Sequence, residues 1–176
     1  EKVYKLKGGK KYIDKYGARF MDFKSDDEVY FGFQNGFNAE IPNAYEVERS
    51  EFDKDILEHA VSCGATLYQP ARVKEVQFTQ TNALLQTNIG DFEAKYVIDA
   101  TGRDAFFGKK HKLRTAHPDL NNVGCFAHFT GVKRGEGDHE GDITIGLLGE
   151  RAWTWIIPFK GDRTSVGVVC TSSIFN

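Results

Sequence analysis

The sequence is poor in cysteine, proline, methionine and tryptophan, with 3, 4, 1 and 2 of them in 176 residues. The cysteines Cys63, Cys125 and Cys170 are scattered and odd in number. That excludes a disulfide framework or a cysteine-based metal site and reads as reduced, buried thiols. No apolar run approaches the roughly 20 residues of a membrane helix, and no signal peptide is visible, so no membrane span and a cytoplasmic location are expected. A formal net charge of −2 leaves no basic footprint, which argues against nucleic acid as partner. His111 and His117 with Asp119, and the run Asp138-His139-Glu140, lack the spacing of a ligand set, so no metal is expected.

Against these shortages stand 40 % hydrophobic residues, 13 % aromatics and 14 phenylalanines, the composition of a globular chain with a packed core. The first fifteen residues carry Lys2, Lys5, Lys7, Lys10, Lys11 and Lys15, mostly a solvated charge run. Ala18–Phe23 and Glu28–Phe33 read as a hairpin. The clearest helix is Glu51–Cys63, with Ser50 as N-cap, Asp53 in an acidic capping box and Gly64 as the left-handed stop. Its buried face is Phe52, Ile56, Leu57, Ala60 and Val61. Short strands follow at Thr66–Tyr68, Arg72–Thr79, Ala83–Asn88 and Asp91–Ala94, then a compact strand Tyr96–Ala100 ending in Thr101-Gly102-Arg103-Asp104. A strand that stops at a glycine turn often meets a ligand in open α/β sheets. Lys133–Asp142 reads as a flexible solvated loop. Longer alternating strands at Gly124–Gly131, Asp142–Leu148, Ala152–Phe159 and Thr164–Cys170 mark a change of architecture near Val123.

Both tryptophans fall in Trp153-Thr154-Trp155-Ile156-Ile157-Pro158. Alternation puts Trp153, Trp155 and Ile157 on one strand face, a rigid apolar wall with two N–H donors to satisfy. A core strand of an antiparallel sheet would show the same periodicity.

Four segments in order resemble the middle of a flavin-dependent halogenase. They are Lys15-Tyr16-Gly17-Ala18-Arg19-Phe20, then Val47-Glu48-Arg49 with Phe52-Asp53 and the helix, then Val97-Ile98-Asp99-Ala100-Thr101-Gly102-Arg103, and the Trp-x-Trp-x-Ile-Pro strand with Thr164-Ser165-Val166-Gly167. The wider superfamily is that of p-hydroxybenzoate hydroxylase-like flavoproteins and geranylgeranyl reductases. The resemblance implies an α+β or α/β chain, the central part of an FAD-binding Rossmann-like domain plus an antiparallel substrate-domain sheet. It divides the chain into a hairpin segment on the substrate side (1–46), part of the FAD-binding domain (47–122) and part of the substrate-binding sheet (123–176).

It also implies the chemistry. FAD, reduced by a separate flavin reductase or by NAD(P)H, would act with oxygen and halide as co-substrates to halogenate an electron-rich, aromatic small molecule. Lys15 would be the catalytic lysine that binds or accepts the hypohalous oxidant; taken alone it is one more surface lysine. Arg49 would contact the cofactor as a planar cation, or else pair with Glu48 or Glu51. Val73 would lie against adenine, and Asp99 and Gly102 would form the acidic turn beneath the cofactor, unless Asp99 caps Arg103 locally. Trp153, Trp155, Ile157 and Pro158 would form the barrier between flavin and substrate. No Gly-x-Gly-x-x-Gly precedes residue 15, and the family's second catalytic residue, a glutamate, is expected beyond Asn176. The chain therefore reads as an internal fragment, inactive by itself. An aromatic hydroxylase or geranylgeranyl-type reductase on the same fold, and a non-catalytic binding module, remain the alternatives.

Overall fold

The structure, a computed structural model, describes residues 11–37, 40–118 and 120–175. Lys2, Lys5, Lys7, Lys10 and Asp119 lie outside the described residues. Along the chain run β1 (Ile13–Lys15), β2 (Gly17–Asp22), β3 (Glu28–Gly32), β4 (Ala44–Glu46), α1 (Arg49–Ser62), β5 (Val73–Phe78), β6 (Ala83–Thr87) and β7 (Asp91–Ala94). They are followed by α2 (Phe106–Lys110), β8 (Asn122–Phe129), β9 (Ile143–Gly149), β10 (Ala152–Pro158), β11 (Thr164–Thr171) and α3 (Ser172–Phe175). The chain divides into two units, one made of the described residues of Glu1–Ile56 and Pro118–Asn176, the other of Leu57–His117.

The first unit is built on a six-stranded sheet in the order β3–β2–β9–β10–β11–β8. The expected hairpin and the four long strands are all in it, because period-2 alternation over five or more residues fixes both strand and face. The sheet is mixed, not purely antiparallel, since β2 pairs parallel to β9 with Ala18 opposite Ile143 and Phe20 opposite Ile145. Sequence periodicity cannot show this, as it carries no information on the direction of a neighbour more than 120 residues away. A separate two-stranded ladder, β1–β4, stands before it with Ile13 opposite Glu46 and Lys15 opposite Ala44.

The second unit holds a meander, β5–β6–β7. Val76 and Ala83 are its buried apolar residues, and Gly90 at φ +131° makes the β6–β7 turn.

Several local expectations are corrected. The helix begins at Arg49, not Glu51, so Ser50 lies inside it and caps nothing. Arg49 instead reaches Asp53 one turn on, with Nε to Oδ1 at 2.9 Å, an i,i+4 pair that extends the helix backwards. No residue of α1 is fully buried, and Ile56 and Val61 are exposed. Gly64 does stop the helix at φ +103°, where only glycine is unstrained. Neither Thr66–Tyr68 nor Tyr96–Ala100 forms a strand, for neither finds a ladder partner among the described residues, and Tyr96 and Ile98 stand exposed. Cys170 is buried as expected, but Cys63 and Cys125 are exposed free thiols. The 133–142 segment is not simply solvated. Its Arg134 guanidinium donates to the carbonyls of Phe159 (3.0 Å) and Arg163 (2.7 Å), and to Thr164 Oγ1, closing the β10–β11 turn.

Candidate functional site

Trp153 and Trp155 do share one face of β10, with ring centroids 5.8 Å apart. Cross-strand partners lie on the same face, so the register extends the wall in both directions. Trp155 faces Ile145 on one side and Gly167 on the other; Ile145 faces Phe20, and Phe20 faces Val29. Beyond Gly167 stands Phe126, whose ring lies 6.1 Å from that of Trp155. Gly167 is what permits the arrangement. A Cβ built there would meet Cζ2 of Trp155 at 2.2 Å, so the indole lies flat across bare backbone. Trp155 Nε1 donates to Ser165 Oγ at 3.1 Å, which satisfies the indole and orients it. Trp153 is more exposed and lines an open cavity of about 640 Å³ with Asn121, Arg151 and Thr171. Ile157 lies opposite Ser165, and Pro158, buried, ends the strand opposite Thr164.

Lys15 closes β1. Its ammonium meets the Glu46 carboxylate at 2.7 Å, with the two side chains 17 % and 12 % exposed, and it sits 5.9 Å from the centre of the Phe33 ring. The next two residues are pinned from below. Asp142 Oδ1 accepts from the amides of Tyr16 (2.9 Å) and Gly17 (2.7 Å), while Oδ2 accepts from Tyr30 Oη (2.9 Å) and meets His139 Nδ1 (2.9 Å). Burial pushes the Asp142 carboxyl up, but the hydrogen bonds from His139, Tyr30 and the two amides outweigh it, and the group lies below its usual range. The Tyr30 phenol moves the other way, driven by burial and then by its bond to Asp142, to about 12. In the parallel register Gly17 and Ala18 lie at the Ile143 end of β9. Thr144 of β9 faces Ile156, so Lys15 belongs to the Ile157–Pro158 end of the wall and Trp153 to the far end. Lys15 is not among the walls of the cavity that Trp153 lines.

In the second unit, Val73 and Asp99 line one open cleft of about 1050 Å³ together with Ile98, Thr101, Phe106 and Lys109. Asp99 is a local clamp. Its Oδ1 accepts from the Thr101 amide and hydroxyl and its Oδ2 from the Phe107 amide at 2.8 Å, which holds its carboxyl below the usual range. It does not cap Arg103. Gly102 takes φ +57° with open space where a Cβ would stand. Arg49, in the first unit, is exposed and forked onto Asp53, not Glu48 or Glu51. Among the described residues no cluster of histidine, cysteine and carboxylate could hold a metal, and no helix is long and apolar enough to cross a membrane.

Glu46, Asp142 and Tyr30 carry no signal in the sequence that marks them for the site, whereas Gly167 falls in the Thr164-Ser165-Val166-Gly167 segment. Only Gly167 carried a legible signal, an isolated glycine inside a β-branched strand, which marks a close approach.

The architecture is that of FAD-dependent flavoproteins. A flavoprotein/dehydrogenase from Cytophaga hutchinsonii superposes over 93 % of this chain and 41 % of its own, at 27 % identity and a TM-score of 0.82. The flavin-dependent halogenase CmlS superposes over 92 % of this chain and 30 % of its own, at 29 % identity and a TM-score of 0.82. In sequence, a 1H-pyrrole-2-carbonyl-[peptidyl-carrier protein] chlorinase of Pseudomonas fluorescens is 31 % identical over 168 residues, 89 % of this chain and 37 % of that protein. The flavin-dependent halogenase armH2 of Armillaria mellea is 31 % identical over 72 % of this chain and 27 % of its own length. No family model matches. The curated relatives this chain matches are halogenases, and the chain spans about a third of their length.

Proposed function

We propose that this chain serves an FAD-dependent halogenation of an electron-rich, aromatic small molecule, with halide as co-substrate. The observation that carries the reading is the aromatic face of β10, its indole laid over Gly167 and tied to Ser165, in a chain whose relatives are halogenases. Reduced FAD supplies the oxygen activation when bound. A flavin reductase or NAD(P)H is the matching source of electrons.

The residues fit such a group. The cleft of the second unit has the size of a nucleotide site, with Val73 and Ile98 as apolar residues and Lys109 and Lys110 as cations among its lining. There Val73 would hold adenine through its backbone, and the Asp99 clamp would keep the Thr101–Gly102 turn open to close approach. By the resemblance Arg49 is the planar cation offered to the cofactor.

In this reading Lys15 would receive the oxidant. Its ammonium donates hydrogen bonds and has no acceptor, so it can hold and polarise an electronegative oxidant. The rigid stretch Tyr16-Gly17, fixed by Asp142, leaves its stem little freedom. Trp153, Trp155, Ile157 and Pro158 would keep substrate from direct contact with the flavin. In this reading residues 1–46 contribute to the substrate side, 47–122 to FAD binding and 123–176 to the substrate sheet. The likeness to a flavoprotein/dehydrogenase favours hydroxylation or reduction as the second reading.

Halide separates the two. In the full-length protein, turnover should require chloride or bromide, and Lys15→Ala should abolish halogenation while FAD binding persists. Undiminished halogenation by Lys15→Ala, or halide-independent product, overturns the assignment.

A further inference from the structure

The carboxylate that meets Lys15 is the feature the reaction has not yet used. Lys15 and Glu46 come from β1 and β4 and are diagonal neighbours on one face of that ladder, because Ile13 pairs with Glu46 and Lys15 with Ala44. The same short ladder is also tied by Asn43 Nδ2, which donates to Asp14 Oδ1 at 2.9 Å. The contact between Lys15 and Glu46 is short, 2.7 Å, and Oε1 of Glu46 is buried. The lysine acts on Glu46 as a hydrogen-bond donor as well as a charge, which spends one of the ammonium's three hydrogens and leaves two to point elsewhere. Burial is the strongest influence on Glu46 and pushes its carboxyl up; the lysine pulls it down without offsetting this, and Asp142 adds a further upward push. The neighbouring cations have their own partners, Lys11 on Asp55 at 2.6 Å and Arg163 on Glu48. Among the described residues, Lys15 is the cation in contact with Glu46.

We propose that Glu46 is the positioning residue of the lysine, fixing the Lys15 ammonium against the Phe33 ring so that its remaining hydrogens face the oxidant. The inference rests on the reading of Lys15 given above. Here the acid holds the ammonium at 2.7 Å and the Phe33 ring centre lies 5.9 Å from it, which restrains position and leaves donors unspent.

The test uses Glu46→Gln, which keeps the shape and removes the charge, and Glu46→Asp, which keeps the charge on a shorter arm. Two measurements are made on the full-length protein: steady-state halogenation, and acylation of Lys15 by trace acetic anhydride, read by mass spectrometry without turnover. Glu46→Gln should lower kcat about tenfold or more, as misplacement of a reacting group does, with KM for halide and FAD affinity within about twofold. Lys15 acylation should rise about fivefold as the amine is released from an ion pair. Glu46→Asp should recover part of kcat and suppress acylation again. The proposal is overturned if acylation is unchanged in Glu46→Gln, or if it rises while kcat holds. It is equally overturned if kcat, KM, FAD affinity and melting temperature all fall together with no recovery by aspartate, since that marks a purely structural pair. A wild-type protein without halide-dependent turnover refutes the functional reading instead. The two failures are distinguishable because acylation needs no turnover.

Discussion

Gly167→Ala places one methyl group where the flat face of Trp155 now lies. The added Cβ would stand 2.2, 2.5 and 2.6 Å from Cζ2, Cη2 and Cε2 of the indole. Ordinary contact begins about 1 Å farther out, so the ring must lift off the strand. Lifting it breaks the 3.1 Å bond from Nε1 to Ser165 and separates Trp155 from Phe126. Overpacking of this kind costs about 1–3 kcal/mol and the lost hydrogen bond about 1 kcal/mol. Replacing glycine by alanine in a strand returns about 0.5–1 kcal/mol of unfolded-chain entropy. The net expectation is about 2 kcal/mol of destabilisation, or roughly 4–8 °C in melting temperature at this chain length. With only two tryptophans, 5.8 Å apart, indole emission reports this wall, and the indole bands of the near-ultraviolet circular dichroism report it beside those of seven tyrosines. Gly167→Ala should shift emission to the red and weaken the near-ultraviolet signal, while Trp155→Phe with Gly167→Ala should lose less than the sum of the single changes. A Gly167→Ala protein as stable as the wild type with an unchanged spectrum would refute the geometry.

Other consequences can be measured alongside it. Asp142→Ala orphans the amides of Tyr16 and Gly17 and should destabilise the chain by about 3 kcal/mol in urea titration, with Asp142→Asn losing about half as much. Because the Asp142 carboxyl lies below its usual 3.8, its contribution is complete above that value and disappears as pH falls through the lower folded one; Asp142→Asn should flatten this acid limb. Tyr30 titrates at about 12 instead of 10, so its contribution is complete below pH 10 and is lost toward pH 12. Tyr30→Phe should remove one late-ionising phenol from the ultraviolet titration. The 176-residue chain alone, with no Gly-x-Gly-x-x-Gly turn to hold a pyrophosphate at a helix terminus, should bind FAD weakly in equilibrium dialysis, and a stoichiometric yellow preparation would contradict that.

What could be read from the sequence was whatever is written at short range. Ala152–Pro158 alternates, so its strand, its faces and the pairing of Trp153 with Trp155 follow from period alone. Gly64 and Gly90 punctuate because their φ values of +103° and +131° are costly for other residues. The helix start failed for an equally local reason. Ser50 offered a cap, but Arg49 four residues before Asp53 offered an ion pair, and the helix starts two residues earlier, at Arg49. Tyr96–Ala100 failed differently: its apolar run is strand-like, yet a parallel strand exists only where a neighbour comes to meet it, and none does among the described residues.

Asp142 shows why the site itself was harder to see than the wall. By sequence it is one acid in a glycine-rich charged stretch, Gly141-Asp142 after Asp138-His139-Glu140, and composition gives it a solvated role. Its meaning comes from the parallel β2–β9 pairing, which brings residue 142 under the amides of residues 16 and 17. Once there, four donors converge on one carboxylate whose side chain is 6 % exposed. The same applies to Glu46, which is ordinary in Ala44-Tyr45-Glu46 until the β1–β4 register sets it diagonal to Lys15. Lysine side chains carry about 2 kcal/mol of rotamer entropy, so a lysine that must meet a reactive species at one point needs its backbone and its charge restrained by separate groups. Asp142 restrains the first and Glu46 the second. Neither restraint is a property of Lys15 or its neighbours in sequence, which is why a motif could nominate the lysine but only the pairing of distant strands could show how it is held.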